Sequence, residues 1–207
     1  GLSLLSSGVG TVSHLHTVRN WARVEEEVDA VIRGYRDAGI RVILSLQYSD
    51  QNPLVYENLQ AFLFSLDPEV LAANQHFLAA PALTHEEYIA LTHALMHRYE
   101  NPQHTVEISY CASGVQWCSD ALYQKIAQEA RLRQRKVHTH CMETVYQKQS
   151  AYHVWGKSNI RHLEDIGVLG PWLILAHMVW VEGEDMDLLR DRQVGVVHNP
   201  SSNLRLR

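Results

Sequence analysis

Three histidines each close an apolar run: His140 after Lys136-Val137-His138-Thr139, His177 after Trp172-Leu173-Ile174-Leu175-Ala176, and His198 after Val194-Gly195-Val196-Val197. Such runs predict buried parallel strands, and in parallel α/β architectures the strand C-termini share the face that carries the active site. Three imidazoles would therefore meet at one mouth. Neutral imidazole is the commonest zinc ligand and serves iron as well, so the set suits a divalent transition metal. A single strand-terminal histidine is as readily a polar cap; three in succession favour the metal. Side-chain alternation turns His138 and His140 to one face, with His140 nearer the mouth. Glu143 follows where strand gives way to loop, within reach of a metal-activated water. There a carboxylate can carry the water's proton to a leaving group. The plain alternative is a solvated loop glutamate.

The elements that must position these residues follow a repeating pattern. Short β-rich runs precede segments of helical periodicity, which predicts a β/α architecture. Gly8–Val12 predicts a strand, and Val24–Ala38 a helix with Val24, Val28, Val31, Ile32 and Tyr35 on one face, ended by Gly39. Ile40–Leu46 predicts the next strand. Asn58–Ser65 and Glu69–His76 predict short helices, and Phe77–Ala80 an extended piece that stops at Pro81. Thr84-His85-Glu86-Glu87 is a capping-box start for a helix to about Tyr99. Strands are then expected at Thr105–Tyr110, Lys136–His140, Trp172–His177 and Val194–His198, with helices at Ser119–Arg133, Asn159–Ile166 and Glu184–Arg190. Repeated β/α units of this kind form a doubly wound sheet or a (β/α)8 barrel. No linker or composition shift marks a second domain, so residues 1–207 are expected to form one domain.

Composition bounds the partners. The chain is 46% hydrophobic and 20% charged, enough to build a core. Its formal net charge of −5 opposes nucleic acid or an anionic membrane as the main partner, since both need a positive field. No run approaches the roughly 18 apolar residues of a membrane span. Cys111, Cys118 and Cys141 lack a Cys-x-x-Cys spacing and are read as reduced packing residues, which implies a cytoplasmic location. Ser201-Ser202 lacks the nucleophile elbow of serine hydrolases, and no glycine-rich phosphate loop is present.

Other polar residues near the expected mouth offer substrate contacts. In the loop Cys111–Cys118, Gln116 could pair with the edge of a heteroaromatic ring and Trp117 could stack on it, although Trp117 packing over a helix explains it equally well. Gln47, ending its strand, is a similar candidate. His14-Leu15-His16 reads as mouth residues that touch substrate rather than metal. His153 and His162 are assigned surface or helix-packing roles, and His76, His85, His93, His97 and His104 fall on helices or turns.

The runs Val137–Thr144 (VHTHCMET), Leu173–Val181 (LILAHMVWV) and Gly195–Leu206 (GVVHNPSSNLRL), in that order, resemble the amidohydrolase superfamily. More narrowly, they are similar to its aromatic deaminases and chlorohydrolases: guanine, 8-oxoguanine, cytosine and adenosine-type deaminases and triazine hydrolases. Leu4–Val12 resembles that family's second barrel strand. The resemblance implies a (β/α)8 TIM-type barrel, present as about six β/α units, strands two to seven. It implies one divalent metal ion, zinc first and iron second, with His140 as the fifth-strand ligand and Glu143 as general acid/base. His177 would bind the metal or contact the attacking water and substrate. His198-Asn199-Pro200 and Ser202-Asn203 would form the wall after the seventh strand. The family's first-strand His-x-His pair and eighth-strand aspartate have no place in these residues.

The expected activity is therefore metal-dependent deamination, or dechlorination, of a nitrogen heteroaromatic ring such as a purine, pyrimidine or triazine. The alternatives are a non-catalytic or metal-free barrel fragment, or an amidohydrolase acting on amide or lactone bonds. The expected partner is a small heteroaromatic substrate, with no nucleic acid and no membrane. Open barrel edges would favour association as a homo-oligomer.

Overall fold

Local signals set most element boundaries in the computed structural model, which describes residues 1–51, 55, 56, 58–74, 82–101, 103 and 105–206. In chain order the elements are α1 (Leu2–Ser6), β1 (Thr11–Thr17), α2 (Val24–Ala38), β2 (Arg41–Tyr48), α3 (Leu59–Ser65), α4 (Pro68–Ala73), α5 (His85–Tyr99), β3 (Val106–Gly114), α6 (Asp120–Arg133), β4 (Val137–Cys141), α7 (Val145–Trp155), α8 (Asn159–Asp165), β5 (Leu173–His177), α9 (Gly183–Asp191), β6 (Gly195–Val197) and α10 (Pro200–Asn203). Contacts divide the chain into two units. No described helix is long and apolar enough to cross a membrane.

The first unit comprises Gly1–Tyr48 and Ala82–Cys111, with strand order β1-β2-β3. β1 and β2 are parallel, with Thr11 opposite Arg41 and Thr17 opposite Gln47. Helix α2 spans the residues its periodicity predicts, buries Val24, Val28 and Ile32, and ends at Gly39 with φ +71°, a left-handed cap that glycine enters without steric cost. Thr84 and Glu87 close the capping box of α5 reciprocally, as the sequence indicates. Tyr88 is fully buried here, and its hydroxyl bonds the main chains of β2 and β3.

The second unit comprises Ser49–Pro81 and Ala112–Arg207. From the end of β3 its strands follow in the order β4-β5-β6, all parallel. Helix α6 buries Leu122, Tyr123, Ile126, Ala127 and Ala130. Tyr123 Oη meets Thr139 Oγ1 at 2.6 Å, so the Val137/Thr139/Cys141 face of β4 meets the helix layer. His138 and His140 therefore occupy the opposite face.

Several boundaries differ from expectation. β1 runs on through Thr17, which places His14 and His16 inside the strand, and β3 continues to Gly114, so Cys111–Gly114 is strand rather than loop. Gln47 lies within β2 rather than at its end, and His198 lies just past β6. Helix α7 occupies a stretch where apolar periodicity is weak, because the side chains it buries include the polar Gln147 and Ser150. α4 ends at Ala73, short of the expected His76; the extended piece Phe77–Ala80 lies outside the described residues, as do His76 and His104.

Candidate active site

The candidate site is built on the C-terminal ends of β4 and β5, within the second unit. In the β4–β5 register His138 stands opposite Ile174, His140 opposite Ala176 and Cys141 opposite His177. Simple alternation would thus leave His177 on the helix-facing side with Cys141. It does not stay there. His177 has φ +76° and Met178 φ +51°, a left-handed kink that side chains other than glycine adopt at a cost of about 1–3 kcal/mol. The kink accompanies a ring that lies against His140, with centroids 5.5 Å apart and planes 29° from parallel. Met142, with φ +49°, makes a similar turn after β4 and starts the segment that carries Glu143.

Glu143 Oε1 comes 3.2 Å from His177 Nε2. His177 Nδ1 faces Asn203 Oδ1 at 2.7 Å, while Asn203 Nδ2 donates to His198 Nδ1 at 3.1 Å. With the amide so oriented, its oxygen receives the His177 Nδ1 proton. His177 Nε2 then presents a lone pair to a carboxylate oxygen, and two acceptors face each other unless a proton or a cation stands between them. His140 Nδ1 donates to the Ser113 carbonyl at 2.5 Å, which leaves its Nε2 lone pair free. Burial lowers the pKa of His140 and, with the charges of His140 and His177, pushes His138 down to about 4. The imidazoles of β4 are thus held neutral, the form that ligates metals. In chemistry the donors fit a divalent transition metal, although no three His, Cys, Asp or Glu groups gather into a closed site among the described residues.

The two substrate candidates stand beside this cluster. Gln116 Nε2 donates to the Gln147 carbonyl at 2.8 Å, so its amide nitrogen is already engaged. Trp117 stacks with Tyr56, centroids 6.0 Å apart and planes at 13°, and its buried Nε1 has no hydrogen-bond partner among the described residues. Tyr56 also walls a cavity of about 840 Å³ with Phe62, Tyr146, Gln149 and His153. Burial, followed by the nearby Glu143 charge, raises the Tyr56 phenol pKa.

The remaining histidines are used elsewhere. Tyr35 and Glu27, both on α2, take up His14 and His16: Tyr35 Oη meets His14 Nδ1 at 3.1 Å and Glu27 Oε2 meets His16 Nε2 at 3.0 Å. They face a helix, which corrects the expectation of mouth residues. His162 bonds Asp120 at 2.8 Å and stacks on Trp155, a helix-packing role, and His153 is exposed. Cys111, Cys118 and Cys141 are buried and form no disulfide among the described residues; burial pushes the Cys118 thiol up to about 12, which suits packing rather than nucleophilic use.

The sequence assigns Asn203 only to a wall and marks neither Gln147 nor Tyr56. A signal for Gln147 was present: Thr144-x-x-Gln147 has the capping-box spacing, and Thr144 does accept from the Gln147 N–H.

Comparison with known proteins adds to this geometry. The model of the amidohydrolase family matches residues 2–207. A 5'-deoxyadenosine deaminase of Methanosarcina acetivorans is 38% identical over 89 residues, covering 43% of this chain and 21% of that protein. A 5-methylthioadenosine/S-adenosylhomocysteine deaminase of Dictyoglomus turgidum is 32% identical over a segment of the same length, again 43% of this chain and 21% of that protein. The matched segment is therefore about a fifth of the length of these relatives. Among solved structures, atrazine chlorohydrolase from Arthrobacter aurescens TC1 complexed with zinc aligns with a TM-score of 0.77 at 21% identity, covering 99% of this chain and 42% of that one. An adenosine deaminase from Xanthomonas campestris with bound zinc gives 0.72 at 20%, covering 98% and 38%. These likenesses show the fold: α/β of the TIM-type (β/α)8 class, six strands of which lie among the described residues.

Proposed function

This chain belongs to the amidohydrolase family, and from that membership we propose that it carries the catalytic centre of a metal-dependent hydrolase that deaminates a nitrogen heteroaromatic ring. The adenine ring of a 5'-modified adenosine is the first candidate, since that is the chemistry named for its relatives. The observation that carries the reading is the meeting of Glu143, His177 and His140, with Glu143 Oε1 3.2 Å from His177 Nε2 and the two imidazoles stacked.

His140 and His177 would hold one divalent metal, zinc first and iron second, because imidazole and carboxylate serve both. Other ligands would come from barrel strands flanking this segment. Such a cation supplies Lewis acidity, which makes a neighbouring water nucleophilic near neutral pH. Glu143 takes the proton of the attacking water at its carboxylate and returns it to the exocyclic nitrogen, so that ammonia departs as the ring carbon gains oxygen. Asn203 keeps the His177 ring turned toward this exchange, and Gln116 and Trp117 contact the ring. The Ser113 carbonyl fixes the His140 tautomer.

The test uses the complete protein. Ammonia release is measured with 5'-deoxyadenosine, adenosine, guanine and cytosine, and chloride release with a chlorinated triazine. Glu143→Gln should lower turnover by about 10²–10⁴-fold; unchanged turnover removes Glu143 from the mechanism. Chloride release without ammonia release would move the reading to dechlorination. A second reading, a metal-free non-catalytic segment, draws on the lack of a closed three-donor group among the described residues. Metal analysis by mass spectrometry separates them, because a folded complete protein without transition metal favours the second.

A further inference from the structure

Gln147 is 1% exposed, a rare state for an amide side chain unless its polar atoms are satisfied. Here they are. Oε1 accepts the Glu143 N–H at 2.7 Å, and Nε2 donates to Tyr56 Oη at 3.0 Å. The Gln147 main-chain carbonyl takes Gln116 Nε2 at 2.8 Å, and its N–H goes to Thr144 Oγ1 at 3.3 Å. One buried residue on the first turn of α7 thus joins the Glu143 peptide to the Tyr56 ring, which stacks on Trp117. Glu143 itself lies between strand and helix, after a residue in the left-handed region, so neither ladder nor helix bonds fix its N–H. The Gln147 amide does so instead.

We propose that Gln147 is a positioning residue for the reaction: it fixes the Glu143 peptide, and with it the direction of the carboxylate, and locks that peptide to the Tyr56–Trp117 pair. The inference rests on the reading of Glu143 as the acid/base group. Without the amide, the Glu143 N–H loses its acceptor and the carboxylate samples orientations that do not reach the leaving nitrogen. Proton transfer is sensitive to such misplacement, whereas ring binding by the aromatic pair is affected less.

The test is made in the complete, metal-loaded protein with 5'-deoxyadenosine. Gln147→Met, similar in length but without hydrogen bonds, should lower kcat by about tenfold or more with KM within about twofold. Gln147→Glu keeps one oxygen for the Glu143 N–H and one for the Tyr56 O–H, and should recover most of kcat. In a Glu143→Gln background the Gln147→Met loss should vanish, because a residue that acts through another adds nothing once that other is removed. If Gln147→Met does not fold, Tyr56→Phe carries the test: kcat falls about threefold at constant KM, and not at all in the Glu143→Gln background. Wild-type kcat in Gln147→Met, or a loss that multiplies in full with Glu143→Gln, overturns the proposal. Full activity of Glu143→Gln alone overturns the underlying reading instead.

Discussion

His177 and Asn203, 26 positions apart in the chain, meet through a 2.7 Å hydrogen bond from imidazole Nδ1 to amide oxygen. The amide's other end binds His198, so one side chain from α10 sets which nitrogen of His177 faces Glu143. A ring without that partner is free to rotate or to change tautomer, and groups that orient a ligating or catalytic histidine are commonly worth 10–100-fold in activity or metal affinity.

Asn203→Ala should accordingly lower kcat/KM by about 10–100-fold. Steady-state kinetics with metal content measured in parallel provide the check. Wild-type kinetics at full metal occupancy would mean that Asn203 does not orient His177.

Tyr88 gives a prediction about stability rather than activity. It is wholly buried, donates to the Leu46 carbonyl at 3.0 Å, accepts from the Cys111 N–H at 3.0 Å and stacks on Tyr48 at 4.7 Å. Tyr88→Phe keeps the ring but leaves two buried main-chain groups short of a partner, which should cost about 1–3 kcal/mol. A lower urea midpoint with an unchanged slope is the expected result.

Asp185 should make stability depend on pH. It is 3% exposed; Oδ1 takes the Ser158 hydroxyl at 2.8 Å, and Oδ2 is buried without a hydrogen-bond partner among the described residues. Burial raises its pKa above the ordinary carboxylate value, against the pull of Ser158 and Arg161. The folded chain therefore binds this proton more readily than the unfolded one. That contribution is full below the ordinary Asp value of about 3.9 and is lost as pH rises through the raised folded value. Asp185→Asn removes the titration, so its urea midpoint should gain on that of the parent as pH rises from 4 to 8. A gap that stays constant across this range contradicts the account.

Much of the fold is legible in the sequence because its signals are local. The stripe Val24, Val28, Ile32 predicts α2 to the residue, and Thr84 with Glu87 marks the start of α5. The apolar runs before His140 and His177 predict β4 and β5 to within a residue at each end. Helix α7 is not legible in the sequence because its buried face carries Gln147 and Ser150, whose value lies in the bonds they make rather than in hydrophobicity. The direction of His14 and His16 is not legible for a related reason: strand alternation says that they share a face, but not which face, and α2 supplies their partners.

The chain's order of residues determined that β/α units repeat and that a histidine falls within a residue of the end of each of β4, β5 and β6, since periodicity and termination depend on neighbours within a few positions. Only the tertiary structure decided that the His177 backbone kinks into the left-handed region and its ring turns onto the His140 side, that Asn203 orients that ring and that Gln147 anchors Glu143. Each of these last three contacts depends on where a separate piece of backbone comes to rest, and a pattern of residue types carries no coordinates for that.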